Sequence, residues 1–354
     1  MQRLYREKYF DFNVKHFHEK LEEEHGILVS YTWTKCLLQK SGLVAKDRPR
    51  KTHRKRRERR SLTGMLLHID GSEHQWFQDG RYYDLIVILD DATGDIYYAQ
   101  LVEQESTRSV MAAVRWVVEE KGIFCALYSD RASHFFLTPK AGEPVDKQAL
   151  TQFGRALREL RIQLIPAYSP QARGRSERSF KTWQGRLPQE LRIREITSVE
   201  DANKFLSDEY IQEFNRRFAK KAAEEGTAFV PCYNKQLDRV FSIQTERIVN
   251  RDNTVKFKNM ILQIDRQKFR ASLANCRVIV FEHHDRSITI GFGEHEVGRF
   301  NESGQPVNRN YGNAASMENG KKRRFPQPLG KVATAQHENA FPRLSHIPTV
   351  STTG

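Results

Sequence analysis

Cysteine is scarce in this chain: 354 residues hold four, at 36, 125, 232 and 276. They are too scattered for a zinc cluster or a disulfide framework, so they read as reduced, mostly structural thiols of a cytoplasmic protein. Long apolar runs are also missing. No stretch approaches the ~18 apolar residues of a membrane span, and no signal peptide precedes the first charges. No internal repeat is present. Acidic residues are in deficit, with 44 Asp and Glu against 58 Lys and Arg, which leaves a net charge of +14. Such an excess suits a polyanion, and nucleic acid is the commonest one; an acidic membrane surface is the alternative, disfavoured by the lack of apolar runs.

The length exceeds one ordinary domain, so two or three are expected. The hydrophobic share of 38% is enough for a core yet leaves room for disordered segments. Residues 1–45 form the first unit. Phe12, Phe17 and Leu21 fall near one helical face, Gly26 breaks the pattern, and Ser30 can cap a second helix running to about Ser41. Two helices joined by a Gly-containing turn fit a helix-turn-helix, with Tyr31 to Lys40 as recognition helix and Thr34 and Lys35 on its exposed face; a plain helical hairpin fits equally well. Residues 46–61 form a basic linker, with nine Lys or Arg between Arg48 and Arg60. Repulsion keeps such a segment open, and Arg54, Lys55, Arg56, Arg57, Arg59 and Arg60 are more charge than solubility needs, so they are expected to track DNA phosphates.

From 62 to 218 the pattern alternates strands and helices. A strand from Met65 stops on Asp70; Tyr82 to Asp90 and Ile96 to Val102 follow through short turns, as antiparallel hairpins require. Ser106 or Thr107 caps a helix that ends at Gly122, and Phe124 to Ser129 is a fourth strand that stops on Asp130. A helix from about Gln148, a strand Ile162 to Ile165, a helix from about Arg175 with Glu177 in its first turn, and a helix from Ser198 to Phe218 complete the unit. Three antiparallel strands, then helix, parallel strand, helix, strand and helix, is the order of a ribonuclease-H-like α/β fold. Residues 219–253 read as a connector, 254–300 as a small β-domain of short alternating strands, and 301–354 as a disordered tail.

Asp70 and Asp130 thus end neighbouring strands, and Glu177 opens a nearby helix. Three converging carboxylates cannot all stay ionised without a counter-cation. Their oxygens suit Mg²⁺, and two such ions can activate a water or hydroxyl on one side of a phosphodiester and stabilise the leaving oxygen on the other. Each residue also has a plainer reading: Asp70 and Asp130 as turn residues, Glu177 as the partner of Lys181 at i, i+4. Asp90 and Asp91 read as the turn into Thr93 and Gly94, His68 as a packed strand histidine, and Phe180 and Trp183 as core. Arg173, Arg175, Arg178 and Lys181 read as contacts to the DNA backbone.

The blocks HIDGS, YSDR and AYSPQARGRSER resemble the three catalytic blocks of DDE transposases with a retroviral-integrase-type core. The run Leu85 to Glu105, with YNKQLDRVFS and RIVNRDNTV, resembles the ISNCY group of bacterial insertion-sequence transposases. The resemblance covers about residues 5 to 300. It implies that Asp70 bridges two Mg²⁺ ions (Mn²⁺ being an alternative), that Asp130 holds one and that Glu177 holds the other. The 46 residues between Asp130 and Glu177 exceed the spacing in many relatives, which an inserted loop around Leu137 to Lys147 accommodates. Relatives usually carry a further helix-turn-helix before this start, so a shortened copy is expected.

The reading that follows is a bacterial, cytoplasmic and nucleoid-associated insertion-sequence transposase. It would bind terminal inverted repeats through residues 1–60, cut the 3′ ends with water and join them to target DNA, as a homo-oligomer on DNA and without a membrane partner. A shortened, non-catalytic regulator of transposition and a metal-dependent nuclease of the same fold are the alternatives.

Overall fold

A computed structural model describes residues 1–46, 58–137, 146, 149–168, 170–233 and 236–307, with backbone alone at 170–176. Arg54, Lys55, Arg56 and Arg57, most of the loop after Leu137, and the tail beyond Val307 lie outside the described residues.

Three short helices open the chain: α1 (Gln2–Glu7), α2 (Val14–His25) and α3 (Tyr31–Lys40). Asn13 and Ser30 cap α2 and α3 by accepting from the backbone N–H of His16 and Trp33. Gly26 ends α2 at φ +61°, where a side chain would be strained. Tyr5, Tyr9, Phe12, Phe17, Leu21 and Leu38 make a small core of their own. Thr34, expected on the exposed face of α3, is fully buried, because it stands four residues before the core residue Leu38. Tyr31 and Trp33 are exposed instead, at 43% and 50%.

This unit sits on the rest of the protein through charge. The Glu190 carboxylate, only 3% exposed, meets His16 at 2.6 Å and Lys20 at 3.0 Å and also pairs with Arg194. Around it Arg186 reaches Glu19 at 2.6 Å, Arg192 reaches Asp11 at 2.6 Å, and Arg217 bonds Glu19 and Glu23. Burial alone would raise the Glu190 carboxyl, but the His16 hydrogen bond and the Lys20, His16 and Arg194 charges outweigh it and hold it down at about 2. Burial also pushes His16 below its ordinary value. Both groups are depressed in the folded state, so both contributions are present near neutrality and are lost as acid is added. The Glu190 contribution, about 3 kcal/mol for that shift, should disappear between pH 4.5 and about 2. Urea titrations of wild type and Glu190→Gln at stepped pH check it: the wild-type advantage should shrink to nothing across that window.

The central sheet contains β1 (Leu67–His74), β2 (Tyr83–Asp90), β3 (Ile96–Val102), β4 (Ala126–Ser129) and β5 (Gln163–Pro166), in the order β3-β2-β1-β4-β5. The first three pair antiparallel; β1, β4 and β5 pair parallel. Helix α4 (Thr107–Glu120) carries a capping box at Ser106 and stops before Gly122, at φ +110°. Helices α5 (Gln152–Glu159), α6 (Pro170–Gln184), α7 (Leu187–Ile193), α8 (Val199–Phe205) and α9 (Ile211–Phe218) follow, with a π-helical turn Leu206–Tyr210 between α8 and α9. Strand order and polarity make this a ribonuclease-H-like mixed sheet.

Two expected boundaries move. The strand expected to stop on Asp70 continues to His74, since Gly71 pairs with Ile86 and Ser72 with Leu85 along the full apolar length of β2. Asp70 therefore lies within the strand and is 6% exposed rather than open to solvent. Helix α6 begins at Pro170 rather than near Arg175, because proline is well suited to the first helical position, where no N–H bond is needed. Glu177 accordingly falls in the third turn and not the first.

After α9 come α10 (Leu237–Val240) and β6 (Ile243–Ile248), inside the stretch read as connector. β6 pairs with β9 (Arg277–Glu282), which continues to β10 (Ile288–Phe292) and β11 (His295–Phe300), while β7 (Thr254–Phe257) and β8 (Met260–Gln263) form a hairpin. This unit attaches to α4 and α5. Arg108 meets Glu282 at 2.6 Å, the Gln152 side chain exchanges two bonds with the Gln244 backbone, and Arg155 donates to the carbonyls of Val240 and Ser242. The cysteines are all free, and Cys36 and Cys125 are exposed rather than packed.

Candidate active site

β1 and β4 run parallel with Leu67 opposite Leu127 and His68 opposite Tyr128. The ladder ends there; Asp70 lies two residues further along β1, and Asp130 is the first residue after β4. Side chains alternate along a strand, so His68, Asp70 and Ser72 share one side of β1. Helix α6 covers that side: Gln184 Nε2 donates to Ser72 Oγ at 2.9 Å. Glu177 precedes Gln184 by two helical turns and so shares its flank of the helix. Glu177, Arg178 and Lys181 are exposed, whereas Phe180 and Trp183 are buried, Trp183 stacked on Phe214 at 4.6 Å. No ion pair joins Glu177 to Lys181 among the described residues, so the plain surface pairing does not account for Glu177. The side chains of Arg173 and Arg175, in the first turns of α6, are not among those described.

Of the three expected carboxylates, Asp70 lies in β1, Asp130 directly follows the neighbouring strand β4, and Glu177 lies on α6. Among the described residues no group of three His, Cys, Asp or Glu side chains stands close enough to hold one metal ion. Asp130, half-buried, also folds its own loop, since its Oδ1 accepts from the Ala132 N–H at 3.0 Å.

Beneath Asp70 lies a buried network that local patterning did not show. His68 Nε2 is 2.7 Å from Asp91 Oδ1, with both side chains at most 2% exposed, and the His68 ring packs against Tyr128 at 5.3 Å. The other Asp91 oxygen accepts from the Arg60 backbone N–H, and Arg59 donates to the carbonyls of Asp91 and Ala92. Asp90 accepts from Gly64, Ala92 and Thr93, and burial pushes its carboxyl above the usual value despite those bonds. The pair does make the turn into Thr93 and Gly94, and in addition fastens the end of the linker to the strand that carries Asp70. Asp91→Ala leaves a buried histidine and a backbone N–H without their acceptor and should cost about 3 kcal/mol, measurable as a lower urea midpoint with an unchanged slope.

A ribonuclease-H-like sheet, with Asp70 inside β1 and Asp130 directly after the parallel neighbour β4, defines the class. No protein-family model matches the chain. It is 32% identical over 352 residues to y4bF of Sinorhizobium fredii, named as a transposase, covering 96% of this chain and 75% of that one. It is 29% identical over 280 residues to the transposase for insertion sequence IS1202 of Streptococcus pneumoniae, covering 70% of this chain and 60% of that one. The chain belongs to this transposase family. Among solved structures, the HTLV-2 integrase catalytic core domain in complex with magnesium matches at TM-score 0.32 and 16% identity, over 43% of this chain and 92% of that one. A simian T-cell lymphotropic virus intasome in complex with the PP2A regulatory subunit B56 gamma matches at TM-score 0.35 and 11% identity, over 79% and 92%. At these TM-scores neither likeness carries weight, and the fold rests on strand order and polarity.

Proposed function

We propose that this chain is the DDE transposase of an ISNCY-type insertion sequence, cutting the element's 3′ ends with water and joining the freed 3′-hydroxyls to target DNA. The observation that supports the reading is the parallel pairing of β1 with β4, which ends just before Asp70 and Asp130, with Glu177 on the helix that covers that side of β1. The donor set fits Mg²⁺ or Mn²⁺, being all carboxylate oxygen. Asp70, Asp130 and Glu177 are the residues that would hold two ions. When bound, the ions supply charge neutralisation for the attacking and leaving oxygens. The described residues do not gather three ligands in one place, so in this reading the three carboxylates draw together when the ions bind. The strands contribute rigidity: Asp70 is buried and paired with Val87 of β2, so its carboxylate is positioned before DNA arrives.

Arg178 and Lys181, on the same exposed face of α6 as Glu177, are placed to meet the DNA backbone, and residues 1–60 to bind the terminal repeats. At least one further copy of the chain is needed, since two ends are joined together. The ungathered carboxylates favour one second reading, a DNA-binding regulator without chemistry. A strand-transfer assay with a pre-cut end in Mg²⁺ separates them. Joined product is expected; hydrolysis alone points to a nuclease, and binding alone to the regulator.

A further inference from the structure

A fourth carboxylate, Glu105, stands beside the aspartates. It follows β3, where its backbone N–H donates to Asp84 Oδ2 at 2.7 Å, and its side chain crosses β2 to reach β1. Its seat there is Gly71, the residue after Asp70: a Cβ at Gly71 would lie 2.0 Å from Glu105 Oε2. The other oxygen, Oε1, is 2.8 Å from Nε2 of His134, in the loop after Asp130, off the line of a straight hydrogen bond. Both side chains are sheltered, at 20% and 15% exposure. The loop is anchored at its far end as well. Phe135 is buried edge-on against Phe153 at 5.0 Å, and its carbonyl accepts from Thr151.

We infer that Glu105 is a positioning residue of the carboxylate site: with His134 it ties the loop carrying Asp130 to β1 at the residue next to Asp70. β1 and β4 pair only over Leu67–Leu127 and His68–Tyr128, so no ladder bond holds the two aspartates at their spacing. The Glu105–His134 contact closes the gap just beyond them, with Phe135 fixing the other end. Engagement with His134 also keeps a carboxylate next to Asp70 from competing for the cation. Glycine at 71 is what leaves room for it.

The inference rests on the proposed assignment of Asp70 and Asp130 as metal ligands. The test uses the full chain without metal and with Mg²⁺ alone. In metal-free protein, hydrogen exchange over residues 130–137 should speed up about tenfold in Glu105→Ala and in His134→Ala, a loss of local rather than global protection, with the N-terminal and β-domain segments unchanged. Calorimetric Mg²⁺ affinity should fall roughly 10–100-fold in both, the usual effect of losing an outer partner of a metal ligand. Glu105→Gln, which keeps an oxygen toward His134, should restore both readouts. Unchanged exchange and affinity in both alanine variants overturn the inference, and so does a Glu105→Gln as deficient as Glu105→Ala, which would make Glu105 itself a ligand. Wild-type protein that binds no Mg²⁺ and transfers no strand overturns the site assignment, and this inference with it.

Discussion

Asp70→Asn is expected to abolish end cleavage and strand transfer together, by at least about 10³-fold, while DNA affinity should stay at the wild-type level. The reason is local. Asp70 is 6% exposed in the middle of β1, between Val87 on one side and the line of β4 on the other, and Asn has the same shape. The substitution thus removes the charge while keeping the side chain's size, and a urea titration of the variant checks that the fold is kept. DNA contacts are assigned elsewhere, to residues 1–60 and the α6 surface, so binding should be indifferent. Ca²⁺ in place of Mg²⁺ should likewise support binding and little chemistry, because its looser coordination holds the reacting oxygens less closely. The companion comparison concerns the glutamate. Glu159 is nearer to Asp130 in sequence, but it ends α5 and pairs with Arg155 at 3.1 Å. Glu177→Gln should be inactive and Glu159→Gln active. Cleavage near the wild-type rate in Asp70→Asn, or the reverse pattern for the glutamates, would falsify the carboxylate assignment.

Neutralising the linker gives the second large effect. Of its six expected phosphate contacts, Arg59 is already committed to the carbonyls of Asp91 and Ala92, while the Arg60 side chain is exposed. Replacing Arg54, Lys55, Arg56, Arg57 and Arg60 should weaken binding to end DNA and random DNA alike. If all five reach phosphates, the slope of log K against log salt should flatten by about 4.5, at ~0.9 per contact. Arg59→Ala should instead act on stability, through the joint with Asp91. Sequence preference is expected of α3, where a rigid helix can hold side chains against base edges. With Thr34 buried, Trp33 and Lys35 are the positions to change, and their alanine variants should narrow the gap between end and random DNA. Competition titrations at two salt concentrations read both effects. Loss of preference in the linker variant, with preference kept in the helix variants, sinks the division of labour.

Much of this molecule is written in short-range terms. Gly26, Ser30, Ser106 and Gly122 mark helix ends through backbone and capping chemistry that acts over a few residues. Alternating apolar runs marked β2 and β3 with almost their observed limits, and the charge of 46–60 speaks for itself. Strand and helix order, and hence the ribonuclease-H-like class, followed from these local signals. Errors arose where a local rule met a tertiary partner. Asp-Gly reads as a turn, yet β2 pairs with β1 straight through Asp70 and Gly71. Pro170 reads as a break, yet it opens α6. Thr34 reads as polar surface, yet Leu38 draws its helix face inward.

The sequence by itself determined which residues carry charge and, with some limits moved, which segments form strands and helices. Only the tertiary structure decided the parallel pairing of β1 with β4, the buried Asp91–His68 pair and the Glu105–His134 contact. It alone placed the Glu190 cluster that seats the N-terminal helices, where His16 and Glu190 meet across a sequence separation of 174. These are contacts between segments far apart in the chain. Burial makes each of them strong by excluding water, and nothing in the local pattern of either partner names the other.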